Sequence, residues 1–66
     1  MRQSDFWQRL AEVFGDGYAT SVARDQVLVQ LGGRTITEAL AAGEPIGRVW
    51  RAVVEAYPDR VPARLR

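Results

Sequence analysis

No cysteine and no histidine occur anywhere in this sequence. The first absence excludes disulfides, thiolate metal sites and a cysteine nucleophile. The second removes the commonest general base and the commonest metal ligand together. Most enzymatic readings end there, and neither a metal nor a cofactor is expected. Lysine is missing as well, so every basic residue is arginine. Arginine makes planar bidentate contacts that lysine cannot, although codon composition explains such usage equally well. No stretch approaches the roughly 20 apolar residues of a membrane span. The N-terminal MRQSDFWQRL has no apolar run of the signal-peptide kind. The expectation is a soluble, cytoplasmic protein with no membrane role. Repeats and low-complexity tracts are absent too.

What is present is a short, apolar-rich chain. Its 66 residues leave room for a single helical domain over 1–66. A chain of this size buries only about 60% of its unfolded surface, so its helices must pack well or find a partner. A hydrophobic content of 47%, with two tryptophans, is enough for a helical core. The net charge of +1 is too small to argue for a whole-molecule electrostatic partner. Its distribution is uneven: the body to residue 57 is near neutral, and the segment 58–66 holds Arg60, Arg64 and Arg66 against Asp59.

The pattern reads as four short helices. Ser4 is a good N-cap, and Phe6, Trp7, Leu10, Val13 and Phe14 follow at helical spacing until Gly15 stops the run. The stretch Tyr18–Leu31 is expected to be a second, central helix. Tyr18, Val22, Leu28 and Val29 lie on one side of it, and Ala19, Ala23, Val27 and Leu31 on another. A helix apolar over so much of its circumference is normally packed on several neighbours. Gly32-Gly33 ends it, and Thr35-Ile36-Thr37-Glu38 fits a capping box that starts a third helix through Ala42. Leu40 is the only large apolar anchor expected there. Pro45 suits the first turn of a fourth helix, whose apolar stripe is Ile46, Val49, Trp50, Val53, Val54 and Tyr57. Val61 and Pro62 are expected to dock, Leu65 more weakly, and the last residues to fray.

These segments, taken in order, resemble a family of very small actinobacterial proteins catalogued as domain of unknown function 3046. The resemblance is carried by Phe6-Trp7, Phe14-Gly15 before Tyr18-Ala19, and Ser21-Val22-Ala23-Arg24-Asp25. It continues through Leu31-Gly32-Gly33-Arg34-Thr35, Glu38-Ala39-Leu40, Gly43, Val49-Trp50-Arg51-Ala52-Val53 and Val61-Pro62. Family members often have cysteine where this chain has Val54, so thiol chemistry does not carry over. The approach to the fourth helix and the spacing before Val61-Pro62 also depart from the family pattern. The resemblance implies no established activity. It implies genes lying near those of a DNA recombinase and its regulator, an associational pointer to DNA repair and recombination.

Several residues are candidates for structural or functional roles. Asp25 on an apolar stripe needs polar partners; Ser21, Arg34 and the free amides opening the third helix are the nearest. The expectation is that it ties the Gly32-Gly33-Arg34-Thr35 turn to the central helix, alongside Arg34, Thr35 and Glu38. Trp7 and Trp50 are either core or binding anchors: each lies on an apolar stripe, which favours core, while tryptophan concentrates binding energy where it is exposed. Ala39, Gly43 and Val49 sit at helix-turn-helix separations, which would present Arg48 and Arg51 to DNA with Arg60, Arg64 and Arg66 on phosphates. Against that, Ile46 and Trp50 would face the groove, and Glu44 and Glu55 flank the same surface. The Gly32-Gly33 pair lacks the lysine and the strand-to-helix setting of a phosphate loop.

The sequence therefore predicts an all-α fold, a compact orthogonal bundle of four short helices with the second at its centre. It predicts a non-enzymatic module that binds a protein partner or itself, with Trp7, Trp50, Arg48, Arg51 and Arg64 as contact candidates. A helix-turn-helix-like DNA-binding domain is the alternative.

Overall fold

Gly15 decides how the first two helices meet. In the computed structural model, which describes all of residues 1–66, α1 (Gln3–Phe14) and α2 (Asp16–Asp25) are separated by this one residue. Its φ of +91° is accessible to glycine at little cost. α1 starts one residue before Ser4. Ser4 is thus inside the helix and not its cap, and the Asp5 carboxylate accepts from the Arg2 backbone N–H at 3.3 Å.

The expected central helix ends six residues early, at Asp25 instead of Leu31, and Gln26 turns into extended backbone. Val27–Leu28 then forms strand β1, Val29–Leu31 a 3₁₀ turn, and Arg34–Thr35 strand β2, antiparallel to β1 with Val27 opposite Thr35 and Leu28 opposite Arg34. The physical reason is local. Val27 and Val29 are β-branched and favour extended backbone. Here Val27 faces out, Leu28 in and Val29 out, a period of two rather than 3.6. Gly32 and Gly33, at φ +71° and +80°, make the reversal, and Gly33 N–H bonds the Leu28 carbonyl at 3.1 Å. The fold is thus mostly helical with a miniature two-stranded sheet at the position given to the second half of that helix.

β2 runs directly into α3 (Ile36–Ala41). Its capping box is formed in full: Glu38 N–H donates to Thr35 Oγ1 at 3.1 Å, and Thr35 N–H to Glu38 Oε1 at 2.8 Å. The anchors of α3 are Ile36 and Ala39, both fully buried, while Leu40 is only half-buried. Ile36 takes that role because it leaves the buried end of β2. α4 (Ile46–Ala56) begins after Pro45 and buries Val49, Trp50, Ala52 and Val53. A second 3₁₀ turn, Ala63–Leu65, closes the chain.

The core joins all of these pieces. Phe6 and Leu10 of α1, Ala19 and Ala23 of α2, Leu31, Ile36 and the α4 stripe meet Val61 and Leu65 in one cluster. The tail does not fray. Leu65 is 8% exposed, and its carbonyl accepts from Trp50 Nε1 at 2.8 Å and from Arg9 at 3.4 Å. The buried indole N–H needs an acceptor, and docking the tail supplies one. No helix is long and apolar enough to cross a membrane.

Candidate functional site

The aromatic cluster lies at the junction of α1, α4 and the tail. Trp50 is 2% exposed and Trp7 half-buried. The Phe6 ring meets Trp7 edge-on at a centroid distance of 5.4 Å and Trp50 edge-on at 5.8 Å. The Arg9 guanidinium lies 5.7 Å from the Trp50 ring centroid. Trp50 is therefore core and presents no binding surface. Its burial also turns the α4 face with Arg48, Arg51 and Glu55 outward, so the objection that Trp50 would occupy a DNA groove falls away.

The polar residues assigned to the Gly32-Gly33 turn do meet there, with one exception. Arg34 Nε donates to the Leu31 carbonyl at 3.1 Å, and its terminal nitrogen reaches Glu44 Oε2 at 2.7 Å. Arg48 bonds the other Glu44 oxygen at 3.0 Å. Hydrogen bonding from Arg34 holds the Glu44 carboxyl below the usual carboxylate range; partial desolvation opposes this and the Arg48 charge assists it. Asp25 is the exception. Its side chain is 58% exposed and pairs only with Arg24, at 3.1 Å. With α2 ending at Asp25, the stripe it was assigned to does not exist, and water solvates the carboxylate. The tie to the second helix expected of Asp25 is not made; instead Glu44, between α3 and α4, joins Arg34 of the turn to Arg48 of α4. Its i+4 spacing to Arg48 was legible as a helix-start pair; its contact with Arg34 is a tertiary event.

The basic tail is tied down in the same way. Arg64 pairs with Glu12 of α1 at 2.6 Å, Arg60 lies 4.9 Å from the Phe14 ring centroid, and Arg66 donates to the Val61 and Pro58 carbonyls.

Two open depressions remain on the surface. The first, of about 410 Å³, is lined by Phe14, Tyr18, Val22, Gln26, Tyr57 and Arg60. Phe14 and Tyr57 form its edge-to-face wall, with ring centroids 5.0 Å apart. Tyr18 is 70% exposed beside it, and Val27 and Val29, the next residues along the chain, are 60% and 86% exposed. All three were expected to be core; Val27 and Val29 lie outside because α2 ends early, whereas Tyr18 is on the face of α2 away from the buried Ala19 and Ala23 side. The second depression, of about 450 Å³, lies against α4 and includes Arg48, Arg51, Glu55, Gln30 and Arg66. Nowhere do three metal-ligating side chains gather.

Residues 1–64 match the sequence model of the family described as protein of unknown function (DUF3046), and the chain belongs to that family. No curated protein and no solved structure matches the chain.

Proposed function

We propose that this DUF3046 chain is a non-catalytic protein-interaction module whose contact surface is the aromatic depression between Phe14, Tyr18, Val22 and Tyr57. The observation that supports the reading most is Tyr18, a large apolar ring left 70% exposed beside a ready-made aromatic wall. Tyrosine concentrates binding energy when a partner covers it, and a small domain gains nothing in stability from leaving it open. Trp7 and Trp50 drop out as primary anchors under this reading, and Tyr18 takes their place. The family resemblance directs the search for the partner to DNA repair and recombination proteins.

The test uses the immobilised chain and its Tyr18→Ser variant side by side. A protein retained by the first and lost from the second, with both chains equally folded by circular dichroism, supports the reading. Retention independent of Tyr18, or a monomer by light scattering that retains nothing, sinks it. The second reading, DNA binding through α4, draws on the outward-facing Arg51, and salt-dependent duplex binding lost in Arg51→Ala would favour it.

A further inference from the structure

Arg51 differs from every other basic residue of this protein. Eight of the nine arginines have a partner within the molecule. Arg2, Arg24, Arg34, Arg48 and Arg64 pair with carboxylates. Arg9 and Arg66 bond backbone carbonyls, and Arg60 lies over Phe14. Arg51, exposed in the middle of α4, has none. It lines the 450 Å³ depression together with Arg48, Arg66 and Gln30. Arg66 has only neutral carbonyls as acceptors, and Arg48 shares the single carboxylate of Glu44 with Arg34. Three arginines thus line one concave site, and Glu55 is the only acidic side chain among the lining residues. Glu55 follows Arg51 by one helical turn without closing on it; with arginine preceding the acid, the pair has the less favourable i,i+4 orientation.

We propose that this depression is a carboxylate-recognition site for an acidic peptide segment of a protein partner, with Arg51 as the anchoring residue. A free guanidinium offers a planar fork that fits a carboxylate bidentately. Gln30 adds a neutral donor and acceptor at the rim. Ala52 and Val54 supply the apolar walls that the methylene groups of glutamate, or an adjoining leucine, would cover. Duplex DNA fits less well. Tight duplex binding takes several phosphate contacts laid along the helix, and the arginines outside this depression are bound to carboxylates, carbonyls or a ring. Choosing a peptide as the ligand rests on reading the chain as an interaction module; the anion preference of the site does not.

The experiment titrates the whole chain into a short fluorescein-labelled peptide rich in glutamate and leucine, and reads fluorescence anisotropy at low and physiological salt. The same peptide with glutamine for each glutamate, a short labelled DNA duplex and competing inorganic phosphate are the other arms. The expected result is binding of the glutamate peptide, weakened about tenfold or more by Arg51→Ala, with Arg51→Lys intermediate. Glu55→Gln should tighten it about twofold by removing the competing carboxylate. Equal binding of the glutamine peptide, indifference to Arg51→Ala, or tighter binding of the duplex overturns the proposal; so does full displacement by phosphate at concentrations near the peptide's own. Tyr18→Ser should leave peptide binding unchanged. A failure here with Tyr18-dependent capture intact removes this site and leaves the interaction module standing. Loss of that capture with peptide binding intact does the reverse.

Discussion

The two ends of this small domain treat similar side chains in opposite ways. Where α1, α4 and the tail converge, Phe6, Trp50 and Leu65 are sealed and even the indole N–H has a backbone acceptor. Around α2 and the turn that follows, Tyr18, Val27 and Val29 stand in solvent. Residue type would suggest the reverse, with tryptophans as anchors and valines as core. Three elements meet at the tryptophan end, so a large ring can be covered from every side. The α2 end has a helix only ten residues long followed by an extended segment, which gives its outward residues nothing to pack against. Burial here follows the number of neighbouring elements more closely than the hydrophobicity of the side chain.

The sharpest way to break that contrast is Trp50→Ala. Removing a buried tryptophan costs about 3–5 kcal/mol, comparable with all the stability a core of this size supplies. The expected outcome is a chain without a cooperative thermal transition by circular dichroism. Deleting residues 63–66 removes Leu65 and the acceptor for the indole. A loss of about 2–3 kcal/mol is expected by urea titration, with a red-shifted tryptophan emission; an unchanged midpoint would mean that the tail contributes nothing. Thr35→Ala takes away half of the α3 capping box and should cost about 1 kcal/mol in the same titration.

A pH series sharpens the comparison at the α3–α4 link, where Glu44 sits. The folded-state pKa of Glu44 is depressed below its unfolded value, chiefly by the Arg34 hydrogen bond. Its contribution is therefore present above the unfolded pKa and lost as pH falls through the folded one. Melting temperature should decline more steeply on acidification in the parent chain than in Glu44→Gln, and parallel curves would contradict the pairing. Smallest of all, Val29→Ser and Asp25→Ala should each change stability by no more than about 0.5 kcal/mol. A drop of about 2 kcal/mol for Asp25→Ala would restore the buried role that its exposure denies.

How much could be read from the residues alone varies from element to element. The capping box at Thr35 and Glu38 was legible because all its atoms come from four consecutive residues. The α4 stripe was legible because helical periodicity is a property of the chain itself, and the place of Trp50 on that stripe favoured core, where the structure buries it. The second half of the central helix was misassigned. Val27-Leu28-Val29 before Gly32-Gly33 also fits a strand entering a reversal, and a two-residue strand is too short for its alternation to outweigh a helical projection. The contact of Glu44 with Arg34, the place of Gln30 and the isolation of Arg51 left no signal, because each depends on which segments come to lie beside one another.

By itself the sequence determined a mostly helical chain, the sites of its glycine reversals, one helix start and the absence of imidazole and thiol chemistry. These follow from local sterics, hydrogen bonding over three or four residues, and composition. Only the tertiary structure decided that the tail docks under Trp50, that Tyr18 faces solvent, and that eight arginines find partners while Arg51 does not. Such outcomes depend on distances between residues far apart along the chain, which no local pattern encodes.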